Sequence, residues 1–268
     1  MKRWILGVLS LLLFLVMTPA VGAQTVMPEL SEAQIGQVNE LRQKAFTATE
    51  LGNFPEAESY WGQLIEILPD SPVGWSNRGN SRVSQNKLDE AIADFNKSIE
   101  LAPQATDPYL NRGAAYEGQG RWEEAIADYE HLLELEPNDA MAYNNLGNAK
   151  AGQGKWSEAI TNYKKAAELN PSFAFTRANY ALALYQIDKR EEAVREMRNL
   201  IRKYPQFPDV RAALTAALWA EGKQGEAESN WVAAMGLDRR YQDLDWVKNI
   251  RRWPPVMVKA LENFLSLK

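Results

Sequence analysis

Apolar and polar positions along the chain recur at a spacing that no single helix or strand imposes. The hexapeptides WSNRGN from Trp75, YLNRGA from Tyr109 and YNNLGN from Tyr143 begin 34 residues apart. A fixed period of that size marks stacked supersecondary units. From Val38 to Tyr241 the sequence divides without insertion into six units, 38–71, 72–105, 106–139, 140–173, 174–207 and 208–241. The twentieth position of each is alanine (Ala57, Ala91, Ala125, Ala159, Ala193, Ala227) and the twenty-fourth is large (Trp61, Phe95, Tyr129, Tyr163, Met197, Trp231). These columns read as two antiparallel helices joined by a tight turn. Small residues at the eighth position, Ala45, Gly79, Gly113, Gly147 and Ala181, with Thr215 the exception, let the two backbones approach. Gly52, Gly120, Gly154 and Gly222 fall where the first helix stops, because glycine takes the left-handed conformation of a helix C-terminus without steric cost. Pro69, Pro103, Pro137, Pro171 and Pro205 close five units, since proline ends one helix and suits the approach to the next.

This set of columns resembles the tetratricopeptide repeat, over 204 of 268 residues. The third and fourth units meet the family pattern best. The fifth and sixth depart from it, with Arg177 and Arg211 in place of the first aromatic and Arg239 in place of proline. The resemblance implies an all-α fold, a right-handed superhelical solenoid of six tandem helix-turn-helix repeats with a C-terminal helical cap.

Both ends of the array carry their own signals. Ser31 and Gln34 form a capping box that opens a helix running into Val38, so residues 24–37 read as a leader and the start of the first helix. Upstream, Lys2 and Arg3 precede an apolar run from Trp4 to Met17, and Val21-Gly22-Ala23 offers a small-residue cleavage site. Residues 1–23 therefore read as a signal peptide. The run of 14 residues is shorter than the ~20 a bilayer-spanning helix requires, so no integral span is expected after cleavage. Beyond Tyr241 the period fails. Residues 242–268 read as a cap: a helix through Trp246, a break at Pro254-Pro255 and an amphipathic helix over 256–267 carrying Val258, Leu261, Phe264 and Leu265. The stretch DLDWVKNIRRWPPVMVKALENFL also resembles the C-terminus of repeat proteins of cyanobacteria and the chloroplast thylakoid lumen. That resemblance implies an exported protein of the thylakoid lumen or periplasm.

Composition narrows the chemistry. With 30 basic and 35 acidic side chains, the balance is −5, and it becomes −7 once Lys2 and Arg3 leave with the signal; this argues against nucleic acid as a partner. The chain has no cysteine, hence no disulfide staple and no lipoprotein anchor. His131 is the only histidine and falls on a second helix, and the pairs Glu123-Glu124 and Glu191-Glu192 suit the first turn of a helix. No zinc spacing, phosphate loop or nucleophile elbow is present, so neither an enzyme nor a cofactor or metal site is expected.

The asparagines carry the functional signal. Asn and Gly are poor material for a helix interior, yet YNNLGN lies in one. In this family the first helices line a concave groove and the sixth position faces it. Asn77, Asn111, Asn145 and Asn179 hold that position in four consecutive units, with Asn80 and Asn148 one turn on. On this reading the asparagines of YNNLGN are surface rather than core. An amide both donates and accepts, so a regular row suits the backbone of an extended peptide, and some members of the family hold peptides with such a ladder. The carboxylate clamp of chaperone-binding members is absent: Arg42 and Asn77 fit it, but Phe46, Asp107 and Asn111 do not. The expected function is an exported, non-enzymatic scaffold whose partner is a protein or peptide segment; the alternatives are a structural, self-associating repeat protein and a non-catalytic accessory subunit of an enzyme complex.

Overall fold

The computed structural model describes residues 30–266. The expected signal peptide, residues 24–29 of the leader and Leu267 lie outside the described residues.

Fourteen α-helices and no strand are found among the described residues. Twelve of them form six antiparallel pairs: α1 (Glu32–Glu50) with α2 (Phe54–Ile67), α3 (Pro72–Val83) with α4 (Leu88–Leu101), α5 (Asp107–Gly118) with α6 (Trp122–Leu135), α7 (Ala140–Gly152) with α8 (Trp156–Leu169), α9 (Ala174–Gln186) with α10 (Arg190–Lys203), and α11 (Pro208–Ala220) with α12 (Gln224–Leu237). Each helix packs on the one before and the one after it. Odd-numbered helices also touch one another, at α3–α5, α5–α7 and α9–α11, whereas no two even-numbered helices come as close. In a curved stack the layer with the shorter spacing lies inside, so the odd helices line the concave face.

The steric logic of the columns is visible in the packing. All six alanines at the twentieth position are 0% exposed. Gly79, Gly113 and Gly147 lie against the rings of Phe95, Tyr129 and Tyr163, and a Cβ added there would come within 2.7, 2.5 and 2.6 Å of them. The turn between paired helices holds one left-handed residue per unit: Gly52, Asn86, Gly120, Gly154, Asp188 and Gly222, with φ from 59° to 75°. The sequence flagged only the glycines; Asn and Asp are the side chains that tolerate this region best, and they complete the series. Ser31 caps α1 as expected, its side chain accepting from the Gln34 amide at 3.3 Å while Gln34 accepts from the Ser31 amide at 3.0 Å. In the second and third units, Arg78 to Asp94 and Arg112 to Asp128 bind inner to outer helix through paired hydrogen bonds.

After α12 come a 3-10 turn (Arg239–Gln242), α13 (Leu244–Asn249) and α14 (Pro255–Leu265). The expected cap on the sixth unit is present: Phe264 stacks edge-on between Trp219 and Trp231, with centroids 5.3 and 5.1 Å away. The segment does more than close the end. α14 packs on both α11 and α9, and so lies on the inner layer over the fifth and sixth units. Ala178, Leu182, Ala212, Ala213 and Ala216 of α9 and α11 share one buried cluster with Met257, Leu261 and Phe264 of α14. The sixth unit shows Ala213 and Ala216 where earlier units show asparagine, the fifth keeps Asn179 but has Leu182 one turn on, and burying this apolar face drives the fold-back.

Candidate functional site

On a helix, residues at positions 2, 6 and 9 share one stripe. That stripe runs Val73-Asn77-Asn80 on α3, Asp107-Asn111-Ala114 on α5, Met141-Asn145-Asn148 on α7 and Phe175-Asn179-Leu182 on α9. Val73, Met141 and Phe175 on this stripe are large apolar side chains left 50 to 58% exposed. Asn80 is exposed, and Asn77, Asn111, Asn145, Asn148 and Asn179 are half-buried.

The six asparagines do not form one uniform row. Asn77 donates to the carbonyl of Val73 at 2.9 Å, a bond within its own helix. Asn145 accepts from Asn144 at 3.1 Å. Asn148 and Asn179 belong to the stack between repeats: Asn179 Nδ2 donates to Oδ1 of Asn148 at 3.2 Å and of Asn144 at 3.3 Å, and Tyr163 donates to Asn148 Oδ1 at 3.0 Å. The expectation that every asparagine of YNNLGN lies on the surface fails at Asn144, which is 6% exposed. Its Oδ1 accepts from Thr176 at 3.0 Å, so the amide spans from α7 to α9 and serves packing. Position 5 faces the next inner helix, while position 6, a step of about 100° round the helix, faces the groove.

The loop 250–254 crosses the inner layer and forms the far wall of a cavity of about 850 Å³. On the near side the cavity is lined by Glu117, Trp122, Asn148, Trp156, Tyr163 and Asn179. Asp209 at the start of α11 anchors the loop. Its Oδ1 accepts from Tyr241 at 2.8 Å, from Trp253 Nε1 at 3.0 Å and from Arg251 Nε at 3.0 Å. Its Oδ2 lies 2.8 Å from Arg251 Nη2. Burial and the Asp209 charge both push the Tyr241 phenol up; burial opposes the charge on Arg251, but the facing carboxylate more than compensates and raises it. Arg251 also stands over the Phe175 ring at 5.8 Å, and Gln186 at the end of α9 accepts from the Val256 amide at 2.9 Å.

Arg252 extends in another direction. Its Nη1 donates to Glu117 Oε2 at 3.2 Å and its Nη2 to the Glu117 carbonyl at 3.3 Å, joining residues 135 apart in sequence. Tyr129 donates to the other carboxylate oxygen of Glu117 at 2.7 Å. Burial raises the Glu117 carboxyl to about 7, although Tyr129 and Arg252 both favour its charged form. Sequence reasoning missed Glu117, Asp209 and Arg252. A signal for Glu117 exists: its column otherwise holds Thr49, Val83, Ala151, Tyr185 and Trp219, so it is the one charge there.

Elsewhere the titratable groups serve packing. Burial favours neutral Glu58, but hydrogen bonds from Lys87, Arg82 and Gln85 hold its carboxyl down to about 2, tying the first unit to the second. His131 stacks on Tyr109 with centroids 4.6 Å apart and faces Glu134 at 3.3 Å. No cluster of metal-ligating side chains occurs among the described residues, and none of their helices is long and apolar enough to cross a membrane.

Tetratricopeptide repeat models match residues 79–120, 104–172 and 150–229. No curated protein sequence matches significantly. Among solved structures, a tetratricopeptide repeat protein from Parabacteroides merdae is 19% identical, with 87% of this chain and 98% of that one covered and a TM-score of 0.66. MamA from Desulfovibrio magneticus, residue 41 to its end, is 19% identical over 62% of this chain and 94% of that one, with a TM-score of 0.57. YrrB, described as a tetratricopeptide repeat protein with an unusual peptide-binding site, is 20% identical over 67% and 92%, with a TM-score of 0.52. At these identities the likeness concerns the fold alone. With helix pairs stacked at a 34-residue period and overlapping family models that run unbroken from 79 to 229, more than half of its length, the chain belongs to the tetratricopeptide repeat family, a fold that generally serves protein–protein contact rather than catalysis.

Proposed function

We propose that the protein is a non-enzymatic scaffold that holds an extended segment of another protein in the groove over its second to fourth units. The observation that carries this reading is the open inner face itself: Asn77, Asn111 and Asn145 at a 34-residue spacing, with exposed Val73 and Met141 one turn before two of them. Amides supply donors and acceptors for a backbone of any sequence, and apolar neighbours supply contact for alternate side chains. The peptide-binding site reported for YrrB gives the reading a precedent on the same fold. The resemblance of the C-terminal stretch and the signal-like start support export to a thylakoid lumen or periplasm, where such a scaffold would serve assembly of a membrane or envelope complex.

The test uses whatever protein co-purifies stoichiometrically from the source organism. Asn111→Ala with Asn145→Ala removes groove amides that make few internal hydrogen bonds, and should weaken binding by about 1 to 3 kcal/mol in calorimetry at an unchanged melting temperature. Asn148 and Asn179 are unsuitable, because their bonds between α7 and α9 make them structural. Unchanged affinity in the double variant would place the partner elsewhere. Export is tested separately by N-terminal sequencing of the natural protein, with Gln24 the expected first residue.

A further inference from the structure

The geometry points to a seat for an arginine side chain of the incoming segment, formed by the Trp122 ring and the Glu117 carboxylate that Tyr129 holds from behind, which Arg252 of the chain itself fills until a partner displaces it. The inference rests on the groove reading above and names the chemistry of the partner.

Three observations carry it. Glu117 is a buried carboxylate whose one oxygen is fixed by Tyr129 and whose other opens toward a cavity of about 850 Å³. A buried carboxylate demands a charge-assisted partner, and arginine answers best with a paired, fork-like contact. Arg252 makes only a single bond of 3.2 Å to the carboxylate, a second of 3.3 Å to the backbone carbonyl, and stands 5.6 Å from the Trp122 ring. Its side chain remains 45% exposed, against 9% for Glu117. The occupant is loosely held.

The backbone supplies the second observation. Arg252 has φ of 52°, the one left-handed side-chain-bearing residue outside the interhelical turns among the described residues. A side chain is costly in that region, and flanking backbone bonds from Arg251 to Trp246 and from Trp253 to Val247 hold it there. The third concerns the anchor. Arg251 and Trp253 on either side are bonded to Asp209, so Arg252 can leave without detaching the loop from the sixth unit. Gly120 and Gly154 border the cavity with open space where a side chain would stand, which leaves room there for a second backbone. The acidic balance of the chain favours a basic segment over an acidic one.

The probe is a fluorescein-labelled nine-residue glycine–serine peptide with one central arginine, paired with the same peptide carrying citrulline, the uncharged isostere. Anisotropy is read on the full chain at a pH well above 7, where the Glu117 carboxyl is ionised. Arg252→Gly, which vacates the seat and suits the left-handed backbone, should bind the arginine peptide at least tenfold more tightly than the parent does, and at least tenfold more tightly than it binds the citrulline peptide. Adding Glu117→Gln, which keeps an acceptor for Tyr129, should erase that preference. No binding by Arg252→Gly, equal binding of both peptides, or a preference that survives Glu117→Gln would each overturn the seat. Should the Gln variant melt early, the Trp122 indole resonance of Arg252→Gly titrated with arginine amide provides the alternative reading, and an unmoved resonance overturns the seat. Equal binding of both peptides that falls with Asn111→Ala and Asn145→Ala would retain the groove while removing the seat. An arginine preference indifferent to those asparagines would retain the seat while removing the ladder.

Discussion

Asp209→Ala should release the C-terminal loop from the groove well before the solenoid unfolds. The carboxylate is 3% exposed on its side chain and accepts from Tyr241, Trp253 and Arg251. Its removal leaves two buried neutral donors without a partner, at about 1 to 3 kcal/mol each, and strands a guanidinium whose lost ion pair adds to that. Arg251 is 25% exposed, so water recovers part of the loss. A net cost of about 3 kcal/mol falls mainly on closure of the loop, which corresponds to a roughly hundredfold rise in its open population. Trypsin measures that population directly, because Lys248, Arg251 and Arg252 lie in the segment and cleavage tracks the open state when reclosing is fast. Mass spectrometry should find cleavage after these residues about a hundredfold faster than in the parent, with cuts elsewhere little changed. Asp209→Asn keeps an acceptor oxygen without the charge and should fall between the two. Equal rates in all three chains would refute the assignment of Asp209 as the anchor.

Glycine substitutions test the helix-pair packing by sign. Gly147→Ala puts a Cβ 2.6 Å from Tyr163, whose hydroxyl is tethered to Asn148, and overpacking of about 1 to 3 kcal/mol should outweigh the roughly 1 kcal/mol gain in helix propensity. Gly236→Ala meets nothing within 4 Å and should raise stability to urea, and the same sign for both would contradict the steric account. Glu117 makes stability depend on pH: its folded carboxyl near 7 exceeds the ordinary 4.5, so its contribution is fully present below 4.5 and lost as pH rises through 7. Relative to Glu117→Gln, the parent should lose about 2.5 kcal/mol between pH 5 and pH 8, and superimposed profiles would count against a buried, desolvated carboxylate. Truncation after Arg252 uncovers Trp219 and Trp231 and the alanine face of α9 and α11, and should lower the melting temperature and promote aggregation; an unchanged melt would mean that α14 covers nothing of consequence.

The helix pairs were legible because every unit faces the same steric demand. An alanine at the twentieth position and a large side chain at the twenty-fourth repeat six times, and repetition separates a requirement from chance. The groove was legible only in part. Asn144 and Asn145 are neighbours of one type, and their different fates follow from the way α9 stacks on α7, which no periodicity within α7 reveals. The bond of Arg252 to Glu117 spans four units, and the lone charge in the Glu117 column marks one end of it without naming the other. The fold-back of α14 left a plainer one: the groove positions of the sixth unit are Ala213 and Ala216 where earlier units have asparagine, and an inner face made of alanine must be covered.

Because α14 and its loop lie across the inner helices of the last two units, the trough has one stopped end. A linear guest therefore has no through passage: it enters over the first units or across the rim, and its path terminates against the loop. Four inner helices remain along the floor, and at an axis spacing of about 9 Å they offer a length of about 27 Å. An extended chain advances about 3.3 Å per residue, so the footprint is about eight residues, after which the guest must turn out into solvent. On the groove reading proposed above, the stop would act as a ruler, favouring short motifs that end or bend over long uninterrupted strands.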